Sequence, residues 1–160
     1  MYQFLRSRFD AARTLRCLFE AAERHALADQ QRQPGAEHLL LAALDLADGT
    51  AQQLLAQFDA DSSRFREAIA SQQADALSAA GWTGAPAEPE PLQPRGGIYL
   101  AGASAIEVMK TLSMKRARHR PLLGAHVVAA VASLDHGVAA RALRSMGIDL
   151  IELRQEASRY

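Results

Sequence analysis

Apolar residues recur at three- and four-residue steps along most of the chain, which is the spacing typical of α-helices. In the first half this pattern predicts four helices, one ending near Asp29, one starting at about Ala36, one from Thr50 to about Phe58, and one from Asp61 to about Ser71. Asp61 is placed to cap the fourth helix, because its side chain can accept hydrogen bonds from the first free amides.

The second half shows the same order of apolar stripes and breaks. Its first stripe ends in a basic run at residues 115–120, and later helices are predicted from about Gly124 to Leu134, from Val138 to about Met146, and after Asp149. Alanine is abundant and β-branched residues are few, so intrinsic helix propensity agrees with the pattern. The sequence therefore predicts an all-α fold of about eight helices.

An internal repeat relates the two halves. The segment Glu37–Leu55, EHLLLAALDLADGTAQQLL, is similar to Ala125–Leu143, AHVVAAVASLDHGVAARAL, and identical residues such as His38 and His126 keep one constant offset. Both segments start with a helix pattern that is apolar almost all round, which is typical of buried central helices. We therefore predict one domain, residues 1–160, built from two pseudo-symmetric four-helix repeats.

A proline- and glycine-rich segment separates the repeats. Residues 72–97 hold four of the six prolines and four of the ten glycines, a composition that does not support a regular helix. This segment is the predicted linker between repeat one, residues 1–71, and repeat two, residues 98–160. Trp82 lies within it and has two interpretations: its ring folds back against the domain, or it is an exposed contact residue.

Charge and cysteine content exclude several classes of protein. The chain has 18 basic and 18 acidic side chains, and this balance argues against a general binder of nucleic acid or anionic membranes. Cys17 is the single cysteine, so an internal disulfide and a cysteine zinc cluster are excluded. No apolar stretch approaches the roughly 18–20 residues of a membrane span, and the N-terminus lacks the apolar core of a signal peptide. A soluble protein in a reducing cytoplasm is expected.

Several segments resemble one protein family. Gly35–Leu41, GAEHLLL, is similar to the G-T-E-H-hydrophobic signature in the N-terminal domain of Clp-type ATPases, of the ClpA and ClpC type. In the second half Gly124–Val127, Gly137–Ala140 and Met146–Asp149 resemble the corresponding parts of that family. The resemblance implies two tandem four-helix repeats and a non-catalytic module that recruits substrate or adaptor proteins to a Clp-type ATP-dependent unfoldase or protease, with no cofactor.

The signature of the family's ATPase modules is absent from this sequence. Those modules carry a phosphate-binding G-x-x-x-x-G-K-[ST] loop, whereas neither of the two lysines here, Lys110 and Lys115, follows a glycine. An N-terminal domain cut from a longer chain and a free-standing relative both fit the sequence.

Glu37 is the first candidate binding residue. The resemblance implies that the matching Glu of each repeat holds a phosphoarginine guanidinium through a charge-assisted pairing. The second repeat has Ala125 at that position, so only one of the two sites could survive. The alternative, which we expect, is a carboxylate that complements the positive pole of its own helix.

Two further groups of residues are candidate partner contacts. Tyr2 and Tyr99 each precede the first helix of a repeat, where the resemblance implies an aromatic groove for peptides or adaptors, although a core role is equally open. The basic patch consists of Lys115, Arg116, Arg118 and Arg120. It is a solvated helix end, a docking site for an acidic partner, or a contact to a nucleic-acid backbone. Either docking role would fit a free-standing regulatory protein.

The histidine and serine patterns do not predict chemistry. His38 and His126 lie on apolar helices and are interpreted as hydrogen-bonded core residues, and no histidine has the spacing of a zinc site. Ser104 lacks the strand and the closing glycine of a nucleophile elbow, so it is interpreted as a helix-start residue. We therefore expect a protein that binds other proteins and is not an enzyme.

Overall fold

The computed structural model describes residues 2–82, 92, 101–115 and 121–160, with residues 2–10 and Lys115 described by their backbone. Within these ranges the chain forms eight α-helices and no strand. The helices are α1 (Tyr2–Ala28), α2 (Ala36–Leu44), α3 (Thr50–Ala56), α4 (Ser62–Ala79), α5 (Ala103–Lys115), α6 (Gly124–Val131), α7 (Val138–Ser145) and α8 (Leu150–Ala157). This confirms the predicted all-α fold of about eight helices. In the described part of the chain, no helix combines the length and apolar character needed to cross a membrane.

The core is organised around α2 and α6, which pack against each other and between them contact every other described helix. All nine residues of α2 are buried, as are most of α6, because both helices are apolar almost all round. The sequence predicts that the side chains of Leu40, Leu44, Val128 and Val131 lie in this core. That prediction is confirmed, since each of the four is at most 2% exposed.

The remaining helices are paired around this central pair. α1 packs on α2 as α5 packs on α6, and α4 packs on α7 as α3 packs on α8. If α1 to α4 exchange places with α5 to α8 in order, the α1–α2 contact becomes the α5–α6 contact and the α4–α7 contact becomes the α3–α8 contact. Such an exchange is what a duplicated unit would produce, while the division into repeats at residues 1–71 and 98–160 stays a prediction.

Local signals at the helix ends explain where several helices begin. The side chain of Asp61 accepts a hydrogen bond from the backbone amide of Arg64 at 2.8 Å, as the sequence predicts. Asp149 caps α8 in the same way, through the amides of Ile151 and Glu152. Gly49 precedes α3 with φ of 66°, a left-handed conformation that glycine adopts without the steric cost of a Cβ.

The predicted start of the linker at Gln72 is wrong, because α4 continues past Ser71 to Ala79. Residues 72–79 read QQADALSA, which are mostly good helix formers. The first proline of the predicted linker is Pro86, well after this stretch. The prolines themselves lie outside the described residues. Trp82 follows this extension and is 60% exposed, so most of the residue faces solvent.

Shortening Leu44 to alanine should test the central role of α2. Because Leu44 is buried among the two central helices, Leu44→Ala should lower the free energy of unfolding by about 2–5 kcal/mol, through lost burial and a cavity. Leu77→Ala makes the same chemical change on the exposed end of α4 and should change it by less than about 0.5 kcal/mol. Denaturant titration measures both. A loss below about 1 kcal/mol for Leu44→Ala would contradict this assignment.

Candidate functional site

Two hydrogen bonds connect the start of α2 to the start of α5. Ser104 accepts a hydrogen bond on Oγ from the backbone amide of Ala36 at 3.0 Å. Next to it, the amide of Gly102 donates to the carbonyl oxygen of Pro34 at 2.9 Å. The first amides of a helix have no partner within the helix, so Ser104 satisfies one that would otherwise be buried unpaired. Ser104 is therefore a helix-start residue, as expected, but it also caps a second helix far away in the sequence.

His38 completes the cap of α2 from within the helix. Its Nδ1 accepts a hydrogen bond from the amide of Gly35 at 2.9 Å, so the proton of the neutral ring is on Nε2, which donates to Asp29 at 3.2 Å. Burial lowers the pKa of His38 below its ordinary value, against the opposing effect of the nearby Glu37 and Asp29 carboxylates. The ring is thus a hydrogen-bonded core residue held in its neutral form.

Glu37 is enclosed at the same helix start. Only 5% of the residue is exposed, and its carboxylate folds back over Gly35, where a Cβ would lie 2.5 Å from Oε1. Within the described part of the chain, the basic atom nearest to its carboxylate is His38 Nδ1 at 3.6 Å. That nitrogen already accepts the Gly35 amide and carries no proton. In this geometry the carboxylate faces the positive pole of α2.

The start of α6, which includes Ala125, is closed by residues of the first half of the chain. The amide of Gly124 donates to Asp48 at 3.1 Å, and the amide of Ala125 donates to Thr50 Oγ1 at 2.9 Å. A Cβ on Gly124 would lie only 2.9 Å from the Cβ of Ala51, so glycine allows this close approach. The amides that could meet a ligand here are therefore already occupied.

Sequence reasoning missed the role of Asp48 and Thr50 as caps of α6. The local signal was present, because Asp48 also accepts the amide of Thr50 at 2.9 Å, as turn residues before a helix commonly do. The partner amides at Gly124 and Ala125 are distant in sequence, and nothing local to either segment predicts that pairing.

A polar cluster joins three helices of the first half. Arg66 on α4 donates to Nδ1 of His25 at 2.8 Å, and Nε2 of His25 donates to Asp45, just after α2, at 2.7 Å. The His25 ring is on α1, so the cluster connects α1, α2 and α4. No group of three or more His, Cys, Asp or Glu side chains in the described ranges is arranged to hold a metal ion.

An open groove lies on the surface beside α1 and α5. Its volume is about 690 Å³, and we call it the α1/α5 groove. It is lined by one residue of α1, by the residue two positions before α5, and by five residues of α5: Phe19, Ala101, Ile106, Met109, Lys110, Ser113 and Met114. Ile106 is 45% exposed and Met114 is 80% exposed, so apolar side chains face solvent here.

Glu37 alone among the candidate binding residues has a described side chain. Tyr2 is the first residue of α1 and Lys115 the last of α5, each described by its backbone. The other candidates, Tyr99, Arg116, Arg118 and Arg120, lie outside the described residues. The aromatic groove implied around the two tyrosines therefore stays a prediction.

The lowered pKa of His38 predicts how the free energy of unfolding depends on pH. Its pKa is lower in the folded chain than the ordinary value of about 6.5. Just below that pH the unfolded chain therefore binds a proton at His38, while the folded chain does not. Stability should therefore fall as the pH drops below about 6.5. His38→Asn keeps an acceptor for the Gly35 amide but cannot be protonated, so urea unfolding between about pH 5 and 8 should show a smaller slope.

His136→Asn is the matched control, because His136 is exposed. That variant should keep the slope of the unaltered chain. An unchanged slope in His38→Asn would contradict the assignment of the neutral, buried ring.

The comparison with protein families finds a match in the part of the chain that holds the first four helices. A family model described as the Clp repeat (R) N-terminal domain matches residues 12–90, which contain most of α1 and all of α2, α3 and α4. No curated protein matches the chain. The matched region includes the Gly35–Leu41 segment and its capped helix start, so the resemblance inferred from that segment is confirmed. Through residues 12–90, the chain is therefore similar to the Clp repeat N-terminal domain family.

Proposed function

We propose that this chain is a non-catalytic module that binds substrate or adaptor proteins and recruits them to a Clp-type ATP-dependent unfoldase or protease. The observation that carries the proposal is the α1/α5 groove, where Ile106 and Met114 expose apolar surface around one concavity. Single exposed apolar residues are ordinary on protein surfaces, whereas several around one groove are typical of a docking site.

The side chains of the groove suit recognition of varied apolar segments. Met109 and Met114 are unbranched and flexible, so they can repack around different partner side chains, and Phe19 adds a rigid aromatic wall. A volume of about 690 Å³ is comparable to other binding pockets and would accept a few side chains of a peptide or helix. The chemistry favours a short apolar segment as the ligand.

The groove wall is anchored to the core, which reduces the cost of ordering it on binding. Ala101 lines the groove and directly precedes Gly102, which hydrogen-bonds to Pro34 at the start of α2. Ser104 adds a second bond to the same helix start. A surface that is already ordered loses less conformational entropy when a ligand docks.

The proposal of a binding module also agrees with the use of the polar groups. Ser104 Oγ serves as a backbone cap, and the rings of His25 and His38 are each bound on both nitrogens. Groups held in this way support the fold, and their geometry supports no nucleophile–base pair for catalysis.

Met114→Asp should test the groove as the binding surface. Short peptides that bind the unaltered chain can first be selected from a peptide array, and their affinities then measured by fluorescence anisotropy. Because a carboxylate would be desolvated against an apolar ligand, the variant should bind at least about tenfold more weakly, or about 1.4 kcal/mol. Ile151→Asp, on the exposed face of α8, is the control and should bind normally. Equal weakening in both variants would contradict the assignment.

For Glu37 we propose the structural role, in which its carboxylate complements the positive pole of α2. Glu37→Ala should then lower the free energy of unfolding by about 0.3–1 kcal/mol and leave peptide binding unchanged. Calorimetry with phosphoarginine should show no binding to the unaltered chain. One site that Glu37→Ala abolishes would instead assign Glu37 a binding role, and two equivalent sites would contradict both interpretations, because Ala125 has no charge.

A further inference from the structure

Two groups at the start of α2 compete for the same nitrogen of the His38 ring. In the neutral ring, Nδ1 accepts a hydrogen bond from the amide of Gly35 at 2.9 Å. Oε1 of the Glu37 carboxylate lies 3.6 Å from the same nitrogen. The amide can donate to Nδ1 only while this nitrogen has a free lone pair, whereas a carboxylate can bond to it only when it carries a proton. Protonation therefore decides which of the two groups the ring can bond.

The protonated arrangement needs only a small movement of the side chains. Charge-assisted hydrogen bonds to a carboxylate are about 2.7–2.9 Å long, so Nδ1 and Oε1 must approach by less than about 1 Å. The His38 side chain is 0% exposed and the Glu37 side chain 7%, so water competes weakly for either group. Nε2 keeps Asp29 as its acceptor. The charged ring would then donate to a carboxylate from each nitrogen.

The groups around the ring decide at which pH it takes a proton. Burial has the largest effect and lowers the pKa of His38, while the carboxylates of Glu37 on α2 and Asp29 after α1 raise it. His25 on α1 lowers it further. These are the charged and titratable groups that act on His38 in the part of the chain that the structure describes. The ring is therefore neutral at pH 7 and takes its proton only below about pH 6.5.

The start of α5 is packed directly against Gly35. A Cβ on Gly102 would lie 3.9 Å from the Cα of Gly35 and 3.3 Å from the carbonyl oxygen of Pro34. That oxygen accepts the amide of Gly102, and the amide of Ala36 donates to Ser104. The three residues at the start of α2 that make these contacts are consecutive, so a displacement of Gly35 reaches the start of α5 directly.

We propose that the start of α2 is an acid-operated switch, in which a proton on His38 exchanges the Gly35 amide for the Glu37 carboxylate and loosens the start of α5. The freed amide must find another partner, because a buried amide without one is destabilising. This shift draws the residues beside it away from Gly102 and Ser104. The element with two arrangements is thus a single helix start, and the proton selects between them.

The second half carries the same histidine cap with a different neighbour. Nδ1 of His126 accepts the amide of Leu123 at 3.1 Å at the start of α6, as His38 does for α2. The residue before it is Ala125, which has no carboxylate to replace Glu37. His126 therefore offers an internal control, with the same cap and without the competing acceptor.

The switch also reaches the proposed binding surface. Ala101 lines the α1/α5 groove and directly precedes Gly102. When Gly102 is loosened, this part of the wall must be ordered again around a ligand, which costs conformational entropy. This consequence rests on the proposed function, and it makes peptide binding weaker in mildly acidic solution.

Amide signals in NMR spectra of the unaltered chain test the switch. Between about pH 8 and 5, while circular dichroism shows that the chain is folded, the signals of Gly35, Ala36 and Gly102 should shift along one titration curve. Its midpoint should lie below about 6.5, the ordinary value for histidine. His38→Asn should abolish this curve, whereas His126→Asn should keep it.

Glu37→Gln separates the switch from a histidine that only supports the fold. Glutamine keeps the size of the side chain but removes the charge that favours the protonated ring, so the midpoint should move to lower pH. An unchanged midpoint would refute Glu37 as the acceptor. This comparison decides between the two roles even if His38→Asn fails to fold.

Three other outcomes of the titration would contradict the inference. A Gly102 signal that stays constant while Gly35 titrates would show that the start of α5 is not coupled to the ring. A curve that persists in His38→Asn would assign the proton to another group. Unfolding with no earlier shift of these signals would show that the helix start has only one folded arrangement.

Peptide affinity tests the consequence for the groove separately. A peptide selected on the array should bind the unaltered chain at least about fivefold more weakly at about pH 5.5 than at about pH 7.5, and His38→Asn equally at both. Equal affinities in the unaltered chain, beside a titrating Gly102, would overturn the regulation of the groove and leave the switch. An array from which no peptide binds would overturn the proposed function, while the NMR titration still decides the switch.

Discussion

The structure depends on the mutual burial of two short helices, α2 and α6, whose free amides must find partners away from water. A buried amide without a partner lowers the free energy of unfolding about as much as a lost hydrogen bond does. Every helix start in the core therefore needs a hydrogen-bond acceptor. α2 takes one from its own His38 and one from Ser104 of the second half. α6 takes acceptors from Asp48 and Thr50 of the first half. Residues of each half therefore cap the central helix of the other half.

These capping contacts cover some surfaces and leave others exposed to solvent. Glu37 is buried at the start of α2, and at the start of α6 the amides of Gly124 and Ala125 are already bonded to Asp48 and Thr50. The α1/α5 groove lies outside that closure, but its wall continues into Gly102 and Ser104, which are bonded to α2. The proposed binding surface is thus open to solvent and held in place by the same contacts that satisfy the core.

His38 shows how the same closure makes the fold depend on protonation. Its Nδ1 accepts a hydrogen bond from the Gly35 amide, and its Nε2 donates one to Asp29. A second proton on the ring would place a donor against the Gly35 amide. This arrangement therefore needs a neutral imidazole, and burial favours that form by lowering the pKa of His38.

Features that depend on neighbouring residues can be predicted from the order of amino acids alone. Apolar spacing predicts the helices and the buried character of α2 and α6, and Asp61 is recognisable as a cap because its partner amide is three residues away. The extension of α4 to Ala79 also follows from local helix-forming residues, whereas only the fold shows that Ser104 caps α2 and that Met114 faces a groove. Those features arise where segments distant in sequence meet, and no local period or motif encodes which surfaces come together.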